Sequence, residues 1–313
     1  MLYNIGDLKS YKECAFIMKK QIFKGSGVAI VTPFTEDNEH VDFEKLGELI
    51  EFQIANDTQA IIICGTTGES PTLSFDEKKA AIKYTVDKVN GRIPVVAGTG
   101  GNNTKHVIEL SQYSESVGAD GLLVVTPFYN KTTQQGLIRH YTQIANSVNL
   151  PIILYNVPSR TGLNISANTC YELSKIDNIV AVKEASSDIA QIAEIAAKCG
   201  DDLYIYSGND DQIVPILSLG GIGVISVIAN ILPKETNDIC ESYFDGNVEY
   251  SKKLQLKYID LVKSLFIEVN PMPVKQALND LGYNVGICRM PLTTMEEKNV
   301  EILRNSLKKL GLL

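Results

Sequence analysis

Lys183 follows directly on the β-branched run Ile179-Val180-Ala181-Val182, so its amine stands where buried apolar surface ends. An ammonium in such a place must find an anion or lose its charge. Two readings are open for it: an ion pair with a carboxylate such as Glu184 or solvation at the strand end, and a nucleophile that condenses with a carbonyl. An ordinary lysine is only about 0.1% neutral at pH 7.5, whereas a site that held the amine near pKa 7.5 would add roughly 4 kcal/mol of readiness to attack. Gly65-Thr66-Thr67-Gly68 offers two hydroxyls and closely spaced backbone amides, a receptor for a small carboxylate or oxyanion. A turn followed by a helix cap would use the same residues. Tyr129 and Tyr155 carry phenols able to pass protons, yet in a chain with 14 tyrosines a core ring with its hydroxyl at the rim is the plainer reading of each alone. Arg160 presents a bidentate fork for a second carboxylate, or a surface ion pair.

These groups need a frame that gathers strand ends. Short apolar runs are centred near Val28, Ile61, Val95, Leu122, Ile152, Val180, Tyr204 and Val224, about 20 to 34 residues apart, which is the spacing of βα units. Amphipathic stretches lie between them, such as Leu46, Leu49, Ile50 and Ile54 after Asp42. Ser74 with Glu77, and Asp188 with Gln191, have the spacing of reciprocal helix caps. Most runs lack polar alternation, so both faces are expected to be buried in an all-parallel sheet. Eight such units predict an α/β fold, a (β/α)8 TIM barrel. Polar and small residues cluster just after the runs, where barrel chemistry resides. An open doubly wound sheet is the rival, but Gly98-Thr99-Gly100-Gly101 has Asn103 where a third glycine of the dinucleotide fingerprint should stand. After about Pro233 the strand rhythm stops, and 237–266 and 295–313 read as helical, a small C-terminal helical domain. The expected division is an N-terminal tail over 1–20, a barrel over 21–246 and helices over 247–313.

The 44% hydrophobic content supplies a large core and the net charge of −8 disfavours nucleic acid and anionic membrane. The longest apolar runs are strand-sized, far short of the roughly 20 residues of a spanning helix. The N-terminal segment is too charged and its apolar part too brief for a secretory signal. Six cysteines, Cys14, Cys64, Cys170, Cys199, Cys240 and Cys288, are scattered without metal or redox spacing, so reduced, buried thiols in the cytoplasm are expected. The three histidines, His40, His106 and His140, form no recognisable ligand set.

Taken together, Tyr155 to Gly162, Val182-Lys183-Glu184-Ala185, the double-threonine loop and Asn270-Pro271-Met272-Pro273-Val274-Lys275 resemble the pyruvate-dependent Schiff-base aldolases of the dihydrodipicolinate synthase and N-acetylneuraminate lyase superfamily, and within it the synthase branch. The resemblance runs from about Phe23 to Leu313; earlier residues fall outside it, and Met18 would give a more usual start. It implies a (β/α)8 barrel with a C-terminal helical domain, no metal, and no cofactor beyond a covalent pyruvate imine on Lys183. Thr67 and its loop amides would hold the pyruvate carboxylate. Thr66, Tyr155 and Tyr129 would relay protons, Arg160 would bind the carboxylate of L-aspartate 4-semialdehyde, and Gly208 and Ile225 would line the pyruvate site, Ile225 through its backbone. The residue matching Tyr129 reaches a neighbouring subunit's site in this family, implying a homo-oligomer, usually a tetramer built as a dimer of dimers. Lysine-sensitive members carry a glutamate and a tyrosine where this chain has His106 and Phe128, with Asn102 retained, so weak or absent feedback by L-lysine is expected.

Within the superfamily a lyase for N-acetylneuraminate or a 2-keto-3-deoxy sugar acid is the competing reading, and it ordinarily lacks an arginine at Arg160. From another class, a non-catalytic small-ligand binder could keep the scaffold.

Overall fold

The structure, a computed structural model, describes residues 19–313. Strands β1 (Gly25–Ala29), β2 (Ala60–Ile63), β3 (Val95–Gly98), β4 (Gly121–Val125), β5 (Ile152–Asn156), β6 (Ile179–Glu184), β7 (Tyr204–Ser207) and β8 (Gly223–Ser226) pair in parallel, each with the next. β8 returns to β1 through Gly25↔Gly223 to Val28↔Ser226 and closes the barrel. Each expected strand centre falls inside a strand.

Two concentric cores explain the unbroken apolar runs. Successive strand side chains point to opposite faces. Ala29, Ile62, Val96, Leu123, Ile153, Ala181 and Ile225 fill the barrel interior, while Val28, Ile61, Val95, Leu122, Leu154, Val182 and Val224 pack outward against the helices. The barrel floor is closed by Phe23, stacked on Tyr206 with ring centroids 4.4 Å apart; the Tyr206 phenol donates to the Phe23 carbonyl at 2.6 Å. Of the expected N-terminal tail, 1–18, with Cys14, lie outside the described residues. Lys19 is described, and its Nζ donates to the carbonyls of Ile176 (2.6 Å) and Ile179 (3.1 Å) at the base of β6.

The surrounding helices are α1 (Phe43–Ala55), α2 (Phe75–Val89), α3 (Thr104–Ser116), α4 (Gln134–Ala145), the single turn α5 (Pro158–Thr161), α6 (Ala167–Ser174), α7 (Ile189–Cys199), α8 (Ile213–Leu217) and α9 (Pro233–Phe244). α2 starts with the expected reciprocal cap: Ser74 Oγ accepts from the Glu77 amide and Glu77 Oε2 from the Ser74 amide. α7 has only half of it. Asp188 Oδ1 accepts from the Gln191 amide at 3.0 Å, but the Gln191 side chain is drawn away to Asn164 and Glu184.

The C-terminal part is α10 (Val248–Lys257), α11 (Ile259–Leu265), α12 (Met272–Asp280) and α13 (Glu297–Lys309). α12 lies outside the stretches that read as helical in the sequence, because prolines at 271 and 273 look like a break. Pro273 sits in the first turn, where backbone amides have no intrahelical acceptor and proline costs little. No helix among the described residues is long and apolar enough to cross a membrane. The five described cysteines are buried and unpaired.

Candidate active site

Strand register brings the expected reactive groups together. β5 and β6 align Tyr155 with Lys183 as Cα partners, and both side chains point into the barrel mouth. Lys183 is 5% exposed, and its Nζ lies 4.4 Å from the centre of the Tyr155 ring. The ion-pair reading with Glu184 fails on alternation: the next residue along a strand points to the other face. Glu184 is fully buried there, accepting from Asn156 Nδ2 and Ser186 Oγ, each at 2.6 Å. Burial pushes its carboxyl up, against four hydrogen bonds that pull it down.

The loop after β2 carries Thr66 and Thr67. Thr67 is 2% exposed, and its hydroxyl accepts from Asn270 Nδ2 at 3.0 Å, which leaves its own proton free to donate. The loop is tied down behind the threonines. Glu69 adopts a left-handed backbone, φ +54°, and turns its carboxylate onto Lys275 Nζ at 2.8 Å and the Arg289 amide at 2.9 Å. The Glu69–Lys275 pair has side chains only 0% and 2% exposed. Burial lowers the Lys275 ammonium and the Glu69 charge opposes that.

A cavity of about 170 Å³ holds this set: Lys183, Tyr155, Thr66, Thr67, Arg160, Gly208 and Asn270 line it. Arg160 comes from α5 and donates to the Asn270 carbonyl at 3.3 Å. Gly208 stands where any side chain would strike: a Cβ there would lie 2.7 Å from Ala185 Cβ and 3.1 Å from Lys183 Cε. Ile225 is fully buried in the barrel interior beneath the cavity and is not among its lining residues. Tyr129 is not brought in. The residue is 92% exposed on a left-handed backbone, φ +67°, and it lines neither this cavity nor the larger one beside it.

A larger cavity, about 580 Å³, opens beside the first and shares Thr66, Tyr155 and Arg160 with it but does not reach Lys183. Lys78, Asn102, His106 and Phe128 line it. Burial lowers the Lys78 ammonium. Among the described residues no group of three His, Cys, Asp or Glu side chains could hold a metal ion.

Three residues had no role in the sequence reading. Asn270 and Lys275 were visible only as part of a resembling segment, and their partners lie about 200 positions earlier. Asp210, after β7, is 3% exposed and accepts from the amides of Val227 and Ile228 at 3.0 and 2.9 Å, tying the ends of β7 and β8. Burial raises its carboxyl, while hydrogen bonds and the Lys183 charge act the other way.

A barrel-mouth lysine beside a tyrosine, with a hydroxyl loop and an arginine facing it, is the arrangement of an imine-forming enzyme. A sequence model of the dihydrodipicolinate synthetase family matches residues 22–310. The chain belongs to that family. It is 58% identical over 296 residues to a 4-hydroxy-tetrahydrodipicolinate synthase of Acetivibrio thermocellus, covering 95% of this chain and all of that protein. Among solved structures it superimposes on a dihydrodipicolinate synthase from Thermotoga maritima with a TM-score of 0.91 and 44% identity, over 94% of this chain and 100% of the other. A relative described as a monomeric dihydrodipicolinate synthase variant gives 0.90 and 44%, over 93% and 98%. Membership of the synthetase family makes the chain an enzyme of this lyase type.

Proposed function

We propose that this enzyme is a 4-hydroxy-tetrahydrodipicolinate synthase that joins pyruvate to L-aspartate 4-semialdehyde through an imine on Lys183. The observation that carries the reading is the buried Lys183 amine held over Tyr155 with no carboxylate paired to it among the described residues. The amine adds to the pyruvate keto carbon, and the carbinolamine loses its hydroxyl as water with a proton delivered by the Tyr155 phenol. Tyr155 then takes a proton from the pyruvyl methyl, giving the enamine. The enamine carbon attacks the aldehyde, and the amino group of the adduct displaces Lys183 from the imine carbon, closing the ring and freeing the lysine. The thiols, metal ions and external cofactors play no part in this sequence.

Thr67, its proton free because Asn270 donates to it, and the loop amides hold the pyruvate carboxylate; Thr66 passes protons with Tyr155. Arg160, its guanidinium held at the cavity by the Asn270 carbonyl, binds the carboxylate of the semialdehyde. Gly208 leaves room for the pyruvyl group, and Ile225 supports the floor. Tyr129, pointing out of its own chain, completes the relay of a neighbouring subunit, so the working form is a homo-oligomer, a tetramer as a dimer of dimers, in the cytoplasm. One relative is described as a monomeric variant; sedimentation velocity tests the assembly, and a tetramer is expected.

Borohydride reduction in the presence of pyruvate, followed by peptide mass mapping, is the direct test. An adduct on the peptide holding Lys183, lost in Lys183→Ala, is expected; no adduct on the wild-type chain would leave a ligand binder. Turnover of N-acetylmannosamine with pyruvate at the rate of aspartate semialdehyde would instead favour the sugar-acid lyase, against the evidence of Arg160. L-Lysine inhibits weakly or not at all: the larger cavity presents Lys78 and Arg160 as its charged side chains, with no Asp or Glu to meet a second ammonium. Half-maximal inhibition at submillimolar lysine would overturn this.

A further inference from the structure

Behind the reacting pair, on the outer face of the same two strands, lies a second pair. Asn156 and Glu184 are Cα partners one step after Tyr155 and Lys183, and both are fully buried. Because the two pairs occupy adjacent backbone positions on opposite faces, a change in strand spacing at the outer pair is carried to the Cα atoms of the inner pair. Asn156 Nδ2 donates to Glu184 Oε1 at 2.6 Å. That bond spans the two strands at their last ladder step, beside the last backbone bond between them, from the Ala185 amide to the Asn156 carbonyl at 2.9 Å.

Glu184 is a buried carboxylate with no cation in hydrogen-bonding reach among the described residues, yet all its acceptor capacity is used. Oε1 accepts also from Gln191 Nε2 at 3.1 Å, and Oε2 from the Ser186 hydroxyl and amide at 2.6 and 3.1 Å. Four donors converge, so a proton or an amide group on this side chain would face donor against donor. Asn156 extends the same network to the loop that carries Arg160: its Oδ1 accepts from the Ile165 amide at 2.9 Å, and Nδ2 donates to Asn164 Oδ1 at 2.8 Å. Both site-bearing loops, 157–165 and 185–187, thus meet at this side-chain network.

We propose that Glu184 and Asn156 are positioning residues of the reaction, a buried carboxylate–carboxamide clamp that sets the Tyr155 phenol against the Lys183 amine and steadies the Arg160 loop. The inference rests on the imine reading of Lys183. It also explains why α7 forgoes the second half of its cap: Gln191 is spent on Glu184 rather than on the helix start.

The experiment is a reciprocal swap in the full-length enzyme, comparing Glu184→Gln, Asn156→Asp and the double variant. For each, the rate of borohydride-trappable pyruvate adduct at Lys183 and kcat are measured per mole of folded protein, with folding followed by near-ultraviolet circular dichroism. Each single variant sets donor against donor or acceptor against acceptor and is expected to lose about tenfold or more in both rates. In the double variant the carboxamide now on β6 donates to the carboxylate now on β5, with Asn164 and Gln191 free to turn their amides, and the rates recover to within about threefold of wild type. Single variants with wild-type rates per folded molecule, including ones that only melt earlier, overturn the proposal, as does a double variant no faster than the slower single. A wild-type enzyme that traps no pyruvate at all defeats the imine reading instead, which keeps the two failures apart.

Discussion

Replacing Gly208 with alanine asks whether the position of the lysine amine, beyond its mere presence, sets the rate. The added Cβ would lie 2.7 Å from Ala185 Cβ, 2.9 Å from the Glu184 carbonyl oxygen and 3.1 Å from Lys183 Cε, against the 3.5–4.0 Å or so at which carbon atoms attract. Two of these neighbours cannot swing aside. One is a methyl fixed to the backbone, the other a carbonyl already bonded to the Gly208 amide at 2.7 Å. Relief must come from separating the ends of β6 and β7 by several tenths of an ångström, or from moving the lysine stem. Overpacking of this kind costs about 1–3 kcal/mol, which at about 2.1 cal/mol/K of unfolding entropy per residue lowers the Tm of a 313-residue chain by roughly 1.5–5 °C. The chemical penalty is larger in proportion, because misplacement of a reacting group by about 1 Å can cost on the order of a hundredfold. Differential scanning calorimetry and the rate of pyruvate trapping measure the two effects. Gly101→Ala is the control: its Cβ would meet only Val107 Cγ2, at 3.5 Å, and its stability should stay within about 0.5 kcal/mol of wild type. A Gly208→Ala enzyme that melts and traps pyruvate like the control would refute the reasoning.

Three further outcomes follow from separate parts of the molecule. Lys275→Met leaves the Glu69 carboxylate buried without its cation and is expected to cost about 3–5 kcal/mol, with Glu69→Gln added to it restoring part of the loss; urea unfolding that finds the single variant as stable as wild type would rule out the pairing. Tyr129→Phe removes a hydroxyl from an exposed ring, so unfolding should change by less than about 0.5 kcal/mol, while the relay role proposed for it in a neighbouring subunit predicts a fall in turnover of about tenfold or more; unchanged turnover would remove Tyr129 from the relay. Burial pushes the His140 imidazole down to about 4, so the fold holds it neutral where the unfolded chain takes up a proton near 6.5. The resulting stability is present above pH 6.5 and is lost as pH falls towards 4, on the order of 3 kcal/mol over that window. Wild type should therefore lose about that much more than His140→Gln between pH 7 and pH 4, and parallel stability curves would contradict the burial argument.

The eight strands could be read from the sequence because a closed parallel sheet buries both faces, which leaves an apolar run in which even the rival periodicities disappear. Part of the proposed reactive set could be read for a related reason. Polar residues are costly at the end of such a run, so Lys183 stood out against Val182. Thr66, Thr67, Tyr155, Arg160 and Gly208 were singled out by family resemblance, and only the backbone explains the glycine. Tyr129 differs from the rest: nothing local separates an exposed tyrosine from one that meets a partner chain, so its proposed place in the relay rests on the resemblance.

What escaped the sequence is tertiary in origin. Asn270 and Lys275 reach Thr67 and Glu69 across 203 and 206 positions, and no local period records so distant a contact. The half-cap of α7 shows the same competition in miniature. Asp188 and Gln191 have the spacing of a reciprocal cap, worth about 1 kcal/mol at a helix start, but a buried carboxylate left short of a donor costs at least as much. Gln191 therefore turns to Glu184, and the helix keeps only the Asp188 bond. A local rule broken at one residue thus points to the stronger demand that broke it, and here that demand sits directly behind the lysine proposed to form the imine.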